Sequence, residues 1–498
     1  MSRTQHRPSV TARRVAAALV AVPLVLLVLL AGPPSRATAS TAATATPRTP
    51  AAVAPPAAAA DVDLTRIAGN EAENAVAVNP ADPRNVVMMS TYSPTVAAAP
   101  AKPHRPVTGP AAAIIRGLTL SVTHDGGATW RTRVIGTGGA LGQACCDESI
   151  AFDGYGNLFM TYLFLSNGNV PVALSTDGGD TISPLTTTTA SADQPTITTG
   201  PGSVWLTWTA GNGGITLAGA KVTGRGHVGA FTQESVPRPY NAGDYGDVAV
   251  SPTGAVIVTY QQNTSVTDGP NIVFTSIDPD GLGPHPLQAE KPFVITGVGS
   301  FDFIPAQPNR SIDAETAMAY DQTAGAHRGR LYAMWTAESP NESDNTDVLL
   351  RWSDDNGLHW SGNVRLDDDQ TRRSQFLPKL AVDQSTGHVG ACWYDARNDG
   401  GNGGVADTDG VANDDAMVYC TVSRDGGRTF GPNIRVSAKA SHTTRQFNED
   451  FDYGDYEGLG FGGGVLRPAW SDNSNSAGGN PDGTLRQLDL YTAAIHGQ

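Results

Sequence analysis

Thr123-His-Asp125-Gly-Gly127-Ala-Thr129-Trp130 has three near-copies further along the chain. They are Ser175-Thr-Asp177-Gly-Gly179-Asp-Thr181-Ile182, Ser353-Asp-Asp355-Asn-Gly357-Leu-His359-Trp360 and Ser423-Arg-Asp425-Gly-Gly427-Arg-Thr429-Phe430. Each fits S/T-x-D-x-G-x-T-W or departs from it at one or two positions. The chemistry is that of a hairpin turn. The Asp carboxylate and the Ser/Thr hydroxyl suit hydrogen bonds with turn main-chain groups, the glycine allows a positive φ, and the closing apolar residue packs between sheets. Copies at corresponding places argue for an element of the fold, because a catalytic residue is needed once. Ser276-Ile-Asp278-Pro-Asp280-Gly281 reads as a decayed fifth copy.

Working outward from these turns, a larger unit recurs from about Asp61 onward. Each unit opens with a polar residue and a short apolar strand, continues through a turn into a second strand, and reaches a late strand that leads into the turn motif. The openings are NAVAV (74–78), SIAFD (149–153), PTITT (195–199), DVAVS (247–251), ETAMAY (315–320), KLAVD (379–383) and EGLGF (457–461). The matching late strands are LTLSVT, VALS, ITLAGA, NIVFTS, VLLRWS, MVYCTVS and DLYTAA. No segment holds a 3.6-residue apolar period for three turns, which excludes long helices. Composition agrees: 56 Gly, 34 Pro and 16% charged residues suit many short strands and tight turns. Such units are blades of a β-propeller, each burying its faces against two neighbours. Ring closure requires the ends to meet, so Asp61 to Ile67 is expected to give the last blade its outer strand. Residues 40–60, almost all Ala, Thr and Pro, read as a disordered linker, and Ala97 to Ala113 as a long loop inside the first unit.

The N-terminus reads as a signal peptide. Arg3, Arg7, Arg13 and Arg14 form a basic region, Val15 to Ala31 an apolar run, and Ala37-Thr38-Ala39 a small-residue cleavage site, which predicts a secreted protein. Cleavage after residue 39 removes five Arg and no acid, moving the formal net charge from −15 to −20. So acidic a chain repels nucleic acid and anionic membrane surfaces, and it is expected to work as a monomer without membrane insertion. An even cysteine count in an exported chain favours disulfides. Cys392 in GACWYDAR and Cys420 in MVYCTV fall on strands expected to be neighbours, and Cys145-Cys146 is read as a vicinal bridge.

The four turn motifs within a propeller-like repeat array resemble the Asp boxes of the sialidase-like (BNR/Asp-box) superfamily, over roughly residues 61–498. The resemblance implies a β-propeller of six or seven blades: the repeats give seven, the analogy with sialidases six. It also implies boxes at the blade periphery, away from any active site. For function it implies a glycoside hydrolase acting on exposed glycans, of the exo-α-sialidase type. In that family a Tyr assisted by a Glu is the nucleophile and an Asp the acid/base, and an arginine triad holds the substrate carboxylate. The family's F/Y-R-I-P motif does not occur before the first box; the nearest string is Phe301-Asp302-Phe303-Ile304-Pro305, without the arginine.

Tyr456 beside Glu457, in Asp452-Tyr453-Gly454-Asp455-Tyr456-Glu457, is the nucleophile candidate by its late position. The unit openings supply further carboxylates: Asp147 and Glu148, Asp193, Asp244 and Asp247, Asp313 and Glu315, Asp455 and Glu457. Inner strands of a propeller begin around the axis at one face, so these acids are expected to converge there as general acids and bases or as ligands for a hard cation. Capping of the inner strands is the structural alternative. Arg397 in WYDAR and Arg467 in VLRPAW are the candidates for holding an anionic group. The loop Asp399 to Asp415 contains Asp407-x-Asp409-Gly410, a fragment of a calcium-loop pattern, which makes Asp407 and Asp409 calcium candidates; a solvated insertion is the alternative. No other cofactor is indicated. Two further functional classes stand beside the hydrolase: a non-catalytic propeller binding a glycan or protein partner, and a glycan lyase.

Overall fold

Each of the seven openings forms an inner strand, and each late strand is the third strand of the same sheet. The inner strands are Asn70–Val78, Ser149–Phe152, Ala192–Gly200, Gly243–Val250, Ala317–Tyr320, Gln375–Val382 and Gly458–Gly462. The third strands are Gly117–Thr123, Pro171–Ser175, Ile215–Gly224, Asn271–Asp278, Asp347–Ser353, Met417–Ser423 and Asp489–Thr492. Every sheet is an antiparallel meander, and the seven make a seven-bladed β-propeller. The computed structural model describes residues 60–94, 116–188, 191–237, 243–262, 271–298, 302–338, 345–404, 406–443 and 452–497. The expected signal peptide, almost all of the Ala/Thr/Pro linker and the loop from Ala97 to Ala113 lie outside them.

The ring closes as anticipated. Val62–Asp63 is the outer strand of blade 7, with Val62 opposite Thr492 and Asp63 opposite Tyr491. The next residues continue the seam: Leu64 N–H donates to Leu490 O at 2.8 Å, Leu490 N–H to Thr65 Oγ1 at 3.0 Å, and Glu71 N–H to Leu488 O at 2.8 Å.

The apolar core is a ring of inter-blade seams. Val87, Met89, Leu118 and Leu120 of blade 1 pack on Ile150, Phe152, Leu158 and Met160 of blade 2. Equivalent clusters join blades 2 to 3, 3 to 4, 4 to 5, 5 to 6 and 6 to 7. Leu64, Val86, Met88, Ala469 and Leu490 join blade 7 to blade 1. Trp208, Trp335, Trp393 and Trp470, all on second strands, are among the largest fully buried side chains. Trp393 and Trp470 donate their indole N–H groups to Asp395 Oδ2 (2.8 Å) and Asp472 Oδ2 (3.0 Å), two residues on. Trp208 has Ala210 at that position, and its indole N–H is unpaired.

Cys392 and Cys420 face each other across the second and third strands of blade 6 and are bridged. Cys145 and Cys146 form the vicinal bridge, immediately before Asp147.

The four turn motifs share one hydrogen-bond set. In the first, Thr123 Oγ1 donates to Asp125 Oδ1 at 2.8 Å and accepts from Gly127 N–H at 3.0 Å; Thr129 N–H and Oγ1 donate to Asp125 at 2.9 and 2.6 Å. Ser175/Asp177/Thr181 and Ser423/Asp425/Thr429 repeat it, and in Ser353/Asp355 the His359 ring replaces the threonine hydroxyl. The decayed copy keeps only the carboxylate role: Asp278 Oδ1 accepts from Gly281 N–H at 2.8 Å, while Ser276 turns to Gln288 O. These aspartates are spent on the turn.

Ser423 is fully buried and supplies the partner of Gly427 N–H at 2.8 Å. Ser423→Ala therefore leaves a buried donor unpaired. It is expected to destabilise the ring by about 1–3 kcal/mol, read as a lower midpoint in thermal unfolding.

Candidate functional site

The inner strands do not begin as regular strands. Glu73, Asp147, Gln194, Tyr245, Glu315 and Leu377 have φ of 62°, 57°, 49°, 50°, 44° and 47°. They occupy one equivalent position in blades 1 to 6, just before the inner strand becomes regular. In blades 1, 3, 4 and 6 the strand register shifts there, as at a β-bulge. A left-handed non-glycine residue costs about 1–2 kcal/mol, so repeated use of it needs compensation. Part of that compensation is visible: Asp147 N–H donates to Glu73 Oε2 at 3.4 Å, and Gln194 N–H to Asp147 Oδ2 at 3.1 Å. In blades 1 and 2 the side chain at this position thus caps the same position of the next blade.

The Gln194 side chain donates to Asp455 Oδ2 at 2.7 Å, joining blade 3 to the Asp455 segment ahead of blade 7. Arg310 meets the same carboxylate through both Nε and Nη2, and its Nη2 lies 2.9 Å from Glu73 Oε1. Arg310 sits on a hairpin inserted before blade 5, with strands Asp302–Ile304 and Gln307–Ile312. Asp452 fixes that hairpin by accepting Asn309 N–H at 2.7 Å and Arg310 N–H at 2.9 Å. Pairing with Glu73 and Asp455 holds the guanidinium charged despite its burial.

Below these contacts, all seven inner strands line a cavity of about 240 Å³. Its polar walls include Glu148, Asp247, Glu315, Lys379, Tyr456 and Glu457. Thr91 Oγ1 bridges Glu148 Oε2 (2.8 Å) and Glu73 Oε2 (3.2 Å). Tyr456 OH reaches Glu148 O at 3.4 Å, and Lys379 Nζ lies 5.8 Å from the Tyr456 ring centre. Both carboxylate oxygens of Glu457 are shielded from solvent and without a hydrogen-bond partner.

Burial dominates the electrostatics. It pushes Asp147 and Glu148 well above the usual carboxylate range, with Glu73 adding to both. It does the same to Glu315, where Lys379 opposes it, and to Glu457, where burial acts alone. Asp244 is pushed up to about 6 by burial and then by Asp193. Burial and four neighbouring carboxylates hold the Tyr456 phenol well above its ordinary value.

Asp147, Asp244, Glu315, Asp455, Tyr456 and Glu457 are thus gathered at one end of the channel. Arg397 is elsewhere. It bonds Asp395 Oδ2 and Asn433 Oδ1, each at 2.9 Å, and covers the Tyr419 ring. Arg467 is also elsewhere, donating to Gly126 O of the first turn motif at 2.6 Å. Asp407 and Asp409 lie in the blade 6 insertion and do not line the cavity. Sequence reading missed Arg310, Glu73, Gln194 and Lys379. Only Lys379, inside KLAVD, carried a positional signal.

No protein-family profile and no curated protein matches the chain. Solved structures do. A lectin from Burkholderia pseudomallei, BP39L, is 11% identical over 81% of this chain and 93% of its own, with a TM-score of 0.49. The polysaccharide lyase Uly1 is 9% identical over 87% and 90%, with a TM-score of 0.44. A Hadza microbial sialidase is 12% identical over 66% of this chain and 64% of its own, with a TM-score of 0.41. Likeness at this level carries no activity across.

In folded protein Asp244 keeps its proton to about pH 6, whereas in the unfolded chain it loses it near 4. The resulting stabilisation is complete below the unfolded value and is lost as pH rises through the folded one. Thermal midpoints are expected to fall between pH 4 and 6.5. Asp244→Asn should flatten that fall by at most about 3 kcal/mol, as measured by paired melts across the window.

Proposed function

We propose that the chain is an exported glycoside hydrolase that takes a neutral or basic sugar into the central cavity, with Glu457 as general acid. The observation that carries this is Glu457 itself: a residue of the cavity lining whose carboxyl, sealed from solvent, is raised by burial and has neither oxygen engaged. A carboxyl kept neutral in this way has a proton to give to a leaving-group oxygen. Glu148, also on the wall and with Oε1 unengaged, is the second carboxylate for the opposite side of the bond. Tyr456, next to Glu457 in the chain and with its hydroxyl reaching the Glu148 carbonyl, lines the pocket that receives the sugar ring. The wall carries four acids and Lys379, and Arg310 already faces Asp455 and Glu73, so an anionic sugar would enter an unfavourable field. Export rests on the basic and apolar N-terminus and the two disulfides. Among the described residues no helix is long and apolar enough to cross a membrane.

A sialidase of the Tyr-nucleophile type is the second reading, favoured by the placement of Tyr456 in the cavity among carboxylates. A panel of fluorogenic glycosides separates the two. Turnover of a neutral or amino sugar, lowered at least about 100-fold in Glu457→Gln and weakly affected in Tyr456→Phe, is the expected result. Turnover of an α-sialoside that disappears in Tyr456→Phe would overturn it in favour of the second reading. No turnover of any glycoside, with sugar binding retained, would leave a binding propeller.

A further inference from the structure

Blade 6 carries a long connection between its second strand, Val389–Asp395, and its third, Met417–Ser423. Within residues 399–415 it holds five Asp and no Lys, Arg or His. The bridges Gly400–Ala412 and Ala416–Ser441 fold it back on itself. Main-chain donors then fix the carboxylates. Asp399 Oδ2 accepts Asp414 N–H at 2.8 Å and Asp415 N–H at 3.0 Å. Asp415 Oδ1 accepts Thr408 Oγ1 at 2.9 Å and faces His442 Nδ1 at 2.8 Å. Asp407 accepts Gly403 N–H and Gly410 N–H, each at 2.6 Å.

Oxygens of Asp399, Asp414 and Asp415 lie within 4.8 Å of one another, and all three residues are buried. Asp414 belongs to a second group as well, with Asp409 and His442. A separate observation concerns Asp414 alone. It is 7% exposed, and its Oδ1 is sealed from solvent with no hydrogen-bond partner. A buried anionic oxygen with nothing to bind is costly, and here it stands among other carboxylates.

We propose that this loop is a binding site for a hard divalent cation, calcium by its chemistry, with Asp414 as the central ligand and Asp399 and Asp415 beside it. Calcium sits about 2.4 Å from each oxygen, so ligand atoms across it are at most about 4.8 Å apart, and the three oxygens lie within that limit. Each carboxylate oxygen has two lone pairs; Asp399 Oδ1 and Asp415 Oδ2 each accept one main-chain N–H, from Gly401 and Thr408, which leaves one lone pair on each for the cation. An all-carboxylate set on an irregular loop suits calcium over magnesium, which demands a regular octahedron, and over softer metals. His442 acts from outside, orienting Asp415. The site also braces the cavity: Ser441, next to His442, accepts the Tyr453 hydroxyl at 2.9 Å, three residues before Tyr456.

The test is thermal unfolding and calorimetric titration of the mature chain after chelator treatment. Calcium is expected to raise the midpoint by several degrees and to bind once per chain. Asp414→Asn is expected to melt no lower than wild type without cation, because an unpaired buried charge is gone, and to lose the calcium response. Indifference of the wild type to calcium would overturn the proposal. So would a calcium shift retained in Asp414→Asn, or a response to zinc with none to calcium. None of these readouts depends on glycoside turnover.

Discussion

The whole arrangement depends on the pairing of residues 62–71 with residues 488–492. A propeller blade has two apolar faces and can cover neither by itself. Six of the seven seams form between blades that follow each other in sequence. The seventh joins the first blade to the last and must be made by chain ends more than four hundred residues apart. Two strand residues would be a weak clasp, but the hydrogen bonds of Leu64, Thr65 and Glu71 extend it, and Leu64 packs into the same seam. That clasp also draws in buried acids. Asp63, Glu71 and Asp489 sit together, and burial raises all three. Closure therefore places a cluster of carboxyls with raised pKa values at the seam.

Closure also forces seven strand ends onto one axis. At that crowded end a regular strand would send alternate side chains into the neighbouring blades. The left-handed residue at or near the start of each of the first six inner strands re-aims the chain, and in blades 1 and 2 its side chain reaches the next blade. Strain of this kind persists where the surroundings over-determine it. Here the overdetermination is circular, since Glu73 holds Asp147 and Asp147 holds Gln194. Gln194 then reaches Asp455, and Arg310 ties Asp455 back to Glu73. Capping and chemistry are not alternatives at this site, because the same carboxylates that cap the strands make the electrostatic field of the cavity.

The blades were legible because their signals are local. Each turn motif is a run of eight residues whose chemistry is complete within itself, and an inner strand announces itself by its apolar run. The acids of the site were legible for a related reason: Asp147, Asp244, Glu315, Asp455 and Glu457 all sit at strand openings, so finding the openings found them. Arg310 was not legible. It lies on a hairpin that belongs to no blade, and no repeat predicts where an insertion will fold back. The sequence pointed to Arg397 and Arg467 because they adjoin strands, but each is claimed by a partner off the axis, Asp395 and the Gly126 carbonyl. The left-handed positions had no signal either, being filled by Glu, Asp, Gln, Tyr and Leu rather than glycine.

A chain this acidic must neutralise what it buries, and it does so differently in different places. Among the described residues the axis has two cations, Arg310 and Lys379, for a larger number of carboxylates; burial and mutual repulsion both raise the pKa values of these acids. A proton held there can be delivered to something else, which is why an excess of acids over bases at a cavity wall suits acid catalysis better than the recognition of an anion. In the blade 6 insertion main-chain N–H groups face several of the carboxylates. They lower Asp407, and at Asp399 they work against the rise that burial causes. Asp414, whose Oδ1 has no donor, is pushed up to about 7 by burial. The two clusters are alike in composition. What separates them is nearby positive charge: Arg310 and Lys379 stand among the axial carboxylates, and the loop has no Lys, Arg or His of its own.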